Sequence, residues 1–203
     1  MKYIVFLCLI FLSLKANFNY YKAHSLDEFK DFKVYPPKGR YLKDNLQMAK
    51  SKLDLDDVQR LNHLYSYEKM VRDLLLVLSQ KYDYNFMQYV AMLCHTQLLT
   101  LDVFYEKYKL DKPDNLKKVG VFKNDEVSTR YKALLQDSLQ ADKIAAKLSV
   151  VFMKELIGHY NKTLKTLPKG LKRQLLKTNA FNKKILRMFK KGLRNIEMGL
   201  PVE

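Results

Sequence analysis

Glu68 is the residue of this chain best placed to do chemistry. It falls in a seam of apolar positions at helical spacing, between Leu61 and Leu64 on one side and Val71, Leu75 and Leu78 on the other. A carboxylate in the buried stripe of a helix is costly to desolvate unless a partner bonds it or a cation sits on it. Inward carboxylates of that kind are how helical bundles hold metals. Three other residues could share the task. Cys94 offers a thiolate, while Glu155 and His159 stand four apart and project from one helical face, a spacing able to clasp one metal. Together Glu68, Cys94, Glu155 and His159 make a candidate remodelled metal site. Each also has a plainer role. Glu68 can pair with Arg72, Lys154 or a tyrosine hydroxyl, Cys94 can act as a small buried hydrophobe, and Glu155 and His159 can serve in surface hydrogen bonds. Cys94 and His95 are adjacent, so their side chains diverge by about 100° on a helix, which argues against a joint Cys-His nucleophile.

Long helices must position these residues. The 203 residues include only 6 Gly and 5 Pro, and several long stretches contain neither, which favours helices over a turn-dense all-β fold. Asp54 or Asp57 can cap a first helix running to about Lys81, and Tyr82-Asp83-Tyr84-Asn85 reads as a short turn. A second helix, from about Phe86 to Tyr108, has the seam Val90-Cys94-Gln97-Leu101-Phe104-Tyr108, alternating four and three. After a loop containing Pro113 and Gly120 comes a short helix from Asp125 to Gln136. A further long one follows from about Gln140 to Leu164, with Ile144, Leu148, Val151 and Glu155 on one face. Pro168-Lys169-Gly170 precedes the last helix, about Leu171 to Met198, whose apolar stripe is Leu171, Leu175, Ile185, Phe189, Leu193 and Ile196.

Residues 1–16 read as a secretory signal: Lys2 gives the positive start, and Tyr3 to Leu14 is an almost unbroken apolar run ending near Ala16. The run is short of the about 20 apolar residues that span a bilayer, though an uncleaved anchor is the alternative. Cys8 follows Val5-Phe6-Leu7 with no small residue beside it, which speaks against lipidation. Without the signal Cys94 is the lone cysteine, so no intramolecular disulfide can form. Residues 17–53 form an irregular lead-in, with capping-box spacing at Ser25-Leu26-Asp27-Glu28 and a break at Pro36-Pro37-Lys38-Gly39. Residues 54–200 are the helical domain.

The formal charge of +16 is unevenly spread: from Tyr160 to Asn195 there are twelve Lys or Arg and no Asp or Glu. On the last helix Lys172, Arg173, Lys177, Lys183, Lys184, Arg187, Lys190, Lys191 and Arg194 form a basic face. Such a face is either a wet bundle surface or an anion-binding one, for envelope polymer, lipid headgroups or an acidic protein. Lys supplies 30 of the 37 cations, a poor composition for bidentate base or phosphate readout, and no nucleic-acid motif is present.

Ser66-Tyr67-Glu68-Lys69-Met70-Val71-Arg72-Asp73 resembles the Glu-Glu-Glu-Lys-Leu-Ala-Arg-Asp signature of a prokaryotic ferritin-like family of unknown function, related to rubrerythrin-type bundles. Lys107-Tyr108-Lys109-Leu110-Asp111-Lys112-Pro113 is similar to its Lys-Tyr-Gly-Leu-x-Asp-Pro helix exit. Gly120-Val121-Phe122-Lys123-Asn124 with Tyr131 and Leu134-Leu135 resembles its Gly-x-Phe-x-Asn … Leu-Tyr-x-x-Leu segment, and Leu186-Arg187-Met188-Phe189 its closing Leu-Arg-Ala-Phe. The resemblance implies an all-α, antiparallel four-helix ferritin-like bundle with an extra short helix between its second and third long helices. It also implies a carboxylate-and-histidine cluster for two metals.

Of that cluster Glu68 matches. Cys94 and Gln97 stand where Glu-x-x-His is expected, Val151 and Lys154 where inward acids are, and Ile185 where a His is. Hard cations need several carboxylates to offset their charge, so these replacements remove a two-metal oxygen-ligand site. The expectation is an exported, non-catalytic binding or structural protein with a decayed di-metal site and no cofactor. The alternatives are a metal-dependent oxidoreductase using iron, manganese or zinc at a remodelled site, and a basic amphipathic binder of membrane surfaces.

Overall fold

A computed structural model describes residues 19–29, 32 and 53–199. The apolar run of residues 1–16 and the Pro36–Gly39 break lie outside these residues. The fold is all-α. Among the described residues five α-helices carry it: α1 (Leu55–Tyr82), α2 (Asn85–Tyr108), α3 (Asp125–Ser138), α4 (Asp142–Thr163) and α5 (Lys169–Glu197). Two residue pairs, β1 (His24–Ser25) and β2 (Lys118–Val119), form a minimal antiparallel ladder with His24 opposite Val119. Among the described residues no helix is long and apolar enough to cross a membrane.

The helix ends follow local chemistry. The Asp54 carboxylate accepts the Asp57 N–H at 2.7 Å to start α1, and Asp83 ends it in the left-handed region at φ 60°. Asn124 caps α3 by accepting the Val127 N–H at 3.0 Å. Ser25 and Glu28 form the expected capping box, which opens only a single 3-10 turn, Leu26–Glu28.

α1 is the spine. Every residue from Leu64 to Leu78 is buried, because α2, α3 and α4 all pack against it. The seam through Leu61, Leu64, Glu68, Val71, Leu75 and Leu78 is buried as its spacing predicts. α5 packs chiefly on α4 and touches α2, with Leu171, Leu175, Ile185 and Phe189 inward. The inner face of α4 departs from the sequence pattern. Ala145, Ser149, Phe152, Met153, Leu156 and Tyr160 are buried, whereas Val151 is 36% exposed and Ile144 and Leu148 are only half-buried. Wedged among α1, α3 and α5, α4 buries a wide arc, and its small residues admit the close approach.

Candidate functional site

Four helices each send polar side chains to one point in the interior. Glu68 comes from α1, Cys94 and Gln97 from α2, Tyr160 from α4 and Asn182 from α5. Glu68, Cys94, Tyr160 and Asn182 are wholly buried. Burial pushes the Glu68 carboxyl up to about 8, against the opposite pull of the Tyr160, Cys94 and Asn182 side chains that face it. Burial and the Glu68 charge likewise push the Cys94 thiol and the Tyr160 phenol well above their ordinary values. The cage is loosely bonded. Gln97 Nε2 donates to Asn182 Oδ1 at 3.2 Å, but both Glu68 oxygens, Tyr160 Oη, Gln97 Oε1 and Asn182 Nδ2 complete no hydrogen bond. Leaving such groups unpaired costs about 1–3 kcal/mol each, so their convergence favours a neutral, protonated Glu68 that can donate as well as accept.

Glu155 and His159 do not join Glu68 and Cys94. Tyr67 and His159 each precede an interior residue by one position, and the helical step turns them outward into a lateral cleft of about 650 Å³. There Arg130 Nη2 donates to Glu155 Oε1 at 2.5 Å, Arg130 Nε to Glu155 Oε2 at 3.3 Å, and the Tyr67 hydroxyl to the same Oε2. The His159 ring lies 4.2 Å from that of Tyr67 and 4.6 Å from that of His63. Burial first, then the neighbouring His63 and Lys162, lowers His159 to about 4, so its imidazole is neutral at physiological pH. The expected four-ligand site is thus divided between the interior and the cleft. Among the described residues no group of three or more His, Cys, Asp and Glu side chains is placed to hold a metal ion.

A third cluster explains why Glu68 is not paired with Arg72. Asp73, wholly buried, accepts from Lys69 Nζ at 2.6 Å, Arg72 Nε at 2.7 Å, Arg72 Nη2 at 2.5 Å and the Gly120 N–H at 2.8 Å. Arg72 Nη1 donates to the Leu116 carbonyl and meets His95 Nδ1, both at 2.9 Å; Lys69 Nζ donates to the Val121 carbonyl at 3.0 Å. Burial, then the Arg72 charge, lowers His95 to about 4, so its imidazole can accept from Arg72. Lys69, Arg72 and Asp73 therefore latch the loop between α2 and α3 onto the spine. Lys154 is exposed and does not reach the interior, which corrects its placement at an inward position and its pairing with Glu68. The side chain facing Glu68 from α4 is Tyr160, whose hydroxyl completes no hydrogen bond with it.

On α5, Arg173, Lys177, Lys183, Lys184, Arg187, Lys190, Lys191 and Arg194 are exposed and Lys172 is half-buried. No acid occurs between Glu155 and Glu197. Phe181 and Met188 are also exposed on this helix, at 37% and 48%. Sequence reasoning missed His63 and Arg130. The signal for His63 was its four-residue offset from Tyr67, the same offset as Glu155 from His159. Arg130 joins the site only through the packing of α3 on α4.

No family profile matches the chain, and no curated protein matches it in sequence. A crystal structure of a hypothetical protein, MJ0754 from Methanococcus jannaschii DSM 2661, shares the fold with a TM-score of 0.71 at 20% identity, over 74% of this chain and 86% of that one. At that identity the likeness concerns the arrangement of helices alone.

Proposed function

We propose that the chain is a ferritin-like four-helix bundle whose di-metal centre has decayed, and that it acts as an exported, non-catalytic binding protein through the basic face of α5. Two features support the first half. Four helices converge their polar residues on Glu68, as a ferritin-like metal centre requires. The groups delivered are one carboxylate, one thiol, one phenol and two amides, too little negative charge for two hard cations. An acid held near pKa 8 by burial carries little charge at neutral pH, which suits a plugged interior.

The observation that carries the binding role is the α5 surface: eight exposed cations along a helix with no acid before Glu197. Each such cation contributes about 1 kcal/mol near an anionic surface, and the effect falls with salt. The partner is anionic: an envelope polymer, lipid headgroups or an acidic protein. The test is co-sedimentation and polymer binding of purified protein at rising salt, compared with a Lys183→Glu, Lys184→Glu, Arg187→Glu, Lys190→Glu variant. Binding to anionic vesicles or polyanions that weakens with salt and is lost in the variant supports the role. Binding that the variant retains would refute it.

A further inference from the structure

Two imidazoles on different helices face each other at the mouth of the lateral cleft. His63 of α1 and His159 of α4 have ring centroids 4.6 Å apart. Tyr67, one turn along from His63, backs both rings, at 6.2 Å from His63 and 4.2 Å from His159. A second hollow of about 460 Å³ opens from the same place, and His63, Glu126 and His159 line both hollows. Among the described residues no hydrogen bond or ion pair engages either ring, so their lone pairs are unspent. Glu155 is not available to complete a ligand set, being held by Arg130 and Tyr67. Glu126 is: it is exposed, sits in the first turn of α3, and lines both hollows beside the two rings.

We propose that His63 and His159 form a two-imidazole clasp for a borderline divalent cation of the zinc, copper and nickel class, with Glu126 swinging in as a carboxylate arm and water filling the remaining positions. Neutral imidazole is the ligand these ions prefer, while calcium and magnesium require oxygen cages. Tyr67, buried and bonded through its hydroxyl to Glu155, forms the wall against which both rings lie. The clasp is distinct from the Glu68 cage, whose Glu68 and Tyr160 lie one helical step further round α1 and α4 in the buried interior, and it does not depend on the α5 binding role. With two fixed ligands and one mobile one, the ion keeps open positions, so the site suits capture of metal or of a metal-borne small ligand better than structural cross-linking.

Calorimetric titration of the full chain with Zn²⁺ alone tests this. The expected result is one ion per chain, affinity reduced at least tenfold by His63→Ala and by His159→Ala, a smaller loss with Glu126→Gln, and no change with Glu68→Gln. Absence of binding up to millimolar Zn²⁺, or binding that survives both histidine substitutions, would overturn the proposal. So would binding lost on Glu68→Gln, which would place the ion in the interior. Should an alanine variant fail to fold, electron paramagnetic resonance of the unaltered chain with one equivalent of Cu²⁺ decides. Splitting from two imidazole nitrogens supports the clasp, and one or none removes it.

Discussion

Replacing Glu68 by Gln should stabilise this protein, and the gain should grow with pH. In the folded chain the carboxyl binds its proton until about pH 8, whereas a free glutamate releases it near 4.5. Between those values the folded state holds a proton that the unfolded state has lost, so stability falls as pH rises. Below about 4.5 both states are protonated and the penalty vanishes. Taken over the whole interval, at about 1.36 kcal/mol per pH unit, the penalty reaches roughly 5 kcal/mol at and above pH 8 and roughly 3 kcal/mol at pH 7.

Gln keeps the shape and polarity but never ionises, so Glu68→Gln should nearly match the parent at pH 5 and exceed it by several kcal/mol at pH 8. Urea unfolding at pH 5, 6, 7, 8 and 9, followed by circular dichroism, measures the difference. The other titrating groups are common to both proteins and cancel. Parallel stability curves for parent and variant from pH 5 to 9 would refute the reasoning. They would mean that Glu68 is as well solvated or paired as an ordinary carboxylate.

Asp73→Asn should cost about 3–5 kcal/mol, because Lys69 and Arg72 would stay buried without their shared anion; urea unfolding reads the loss, and faster exchange of the Gly120 amide should accompany it. Gly120→Ala should cost about 1–2 kcal/mol, since φ there is +76° and an added Cβ would lie 3.1 Å from the Tyr131 hydroxyl oxygen; thermal unfolding checks it. With Glu68 silenced, the Glu68→Gln variant should gain stability between about pH 4 and 6.5. His95 and His159 are held neutral when folded, while the unfolded chain still binds their protons; a pH series of melting curves shows the rise or its absence. Charge reversal at Lys183, Lys184, Arg187 and Lys190 should leave the melting temperature within a few degrees of the parent, because these side chains are exposed.

Helix positions were legible in the sequence because capping residues and apolar spacing are local signals. Asp54 and Asn124 cap α1 and α3, and the Leu61–Leu78 seam is buried throughout. The α4 face was misread because Val151 and Ile144 looked more core-like than Ala145 and Ser149. A helix hemmed in by three others buries its small residues and leaves a branched one at the rim. The Lys69-Arg72-Asp73 latch could be seen as a motif but not as a structure, since its other partners, Leu116, Gly120 and Val121, lie more than 40 positions along the chain. The β1–β2 ladder, two residues a side, is too short to leave a periodic trace. Of the proposed metal ligands, the spacing of Glu155 and His159 correctly placed them on one face. Which side of α4 that face would occupy depended on the whole packing.

Because α1 is enclosed on all sides from Leu64 to Leu78, three unrelated tasks hang on the rotational phase of a single rod. His63 and Tyr67 wall the cleft, Glu68 enters the cage, and Lys69, Arg72 and Asp73 fasten the loop. Deleting one residue between Leu55 and Asn62 would leave these groups in mutual register and shift only the start of the helix. Inserting one residue between Glu68 and Lys69 would swing the fastening about 100° away from the cage and cleft residues, so that no single docking of the spine could satisfy both halves.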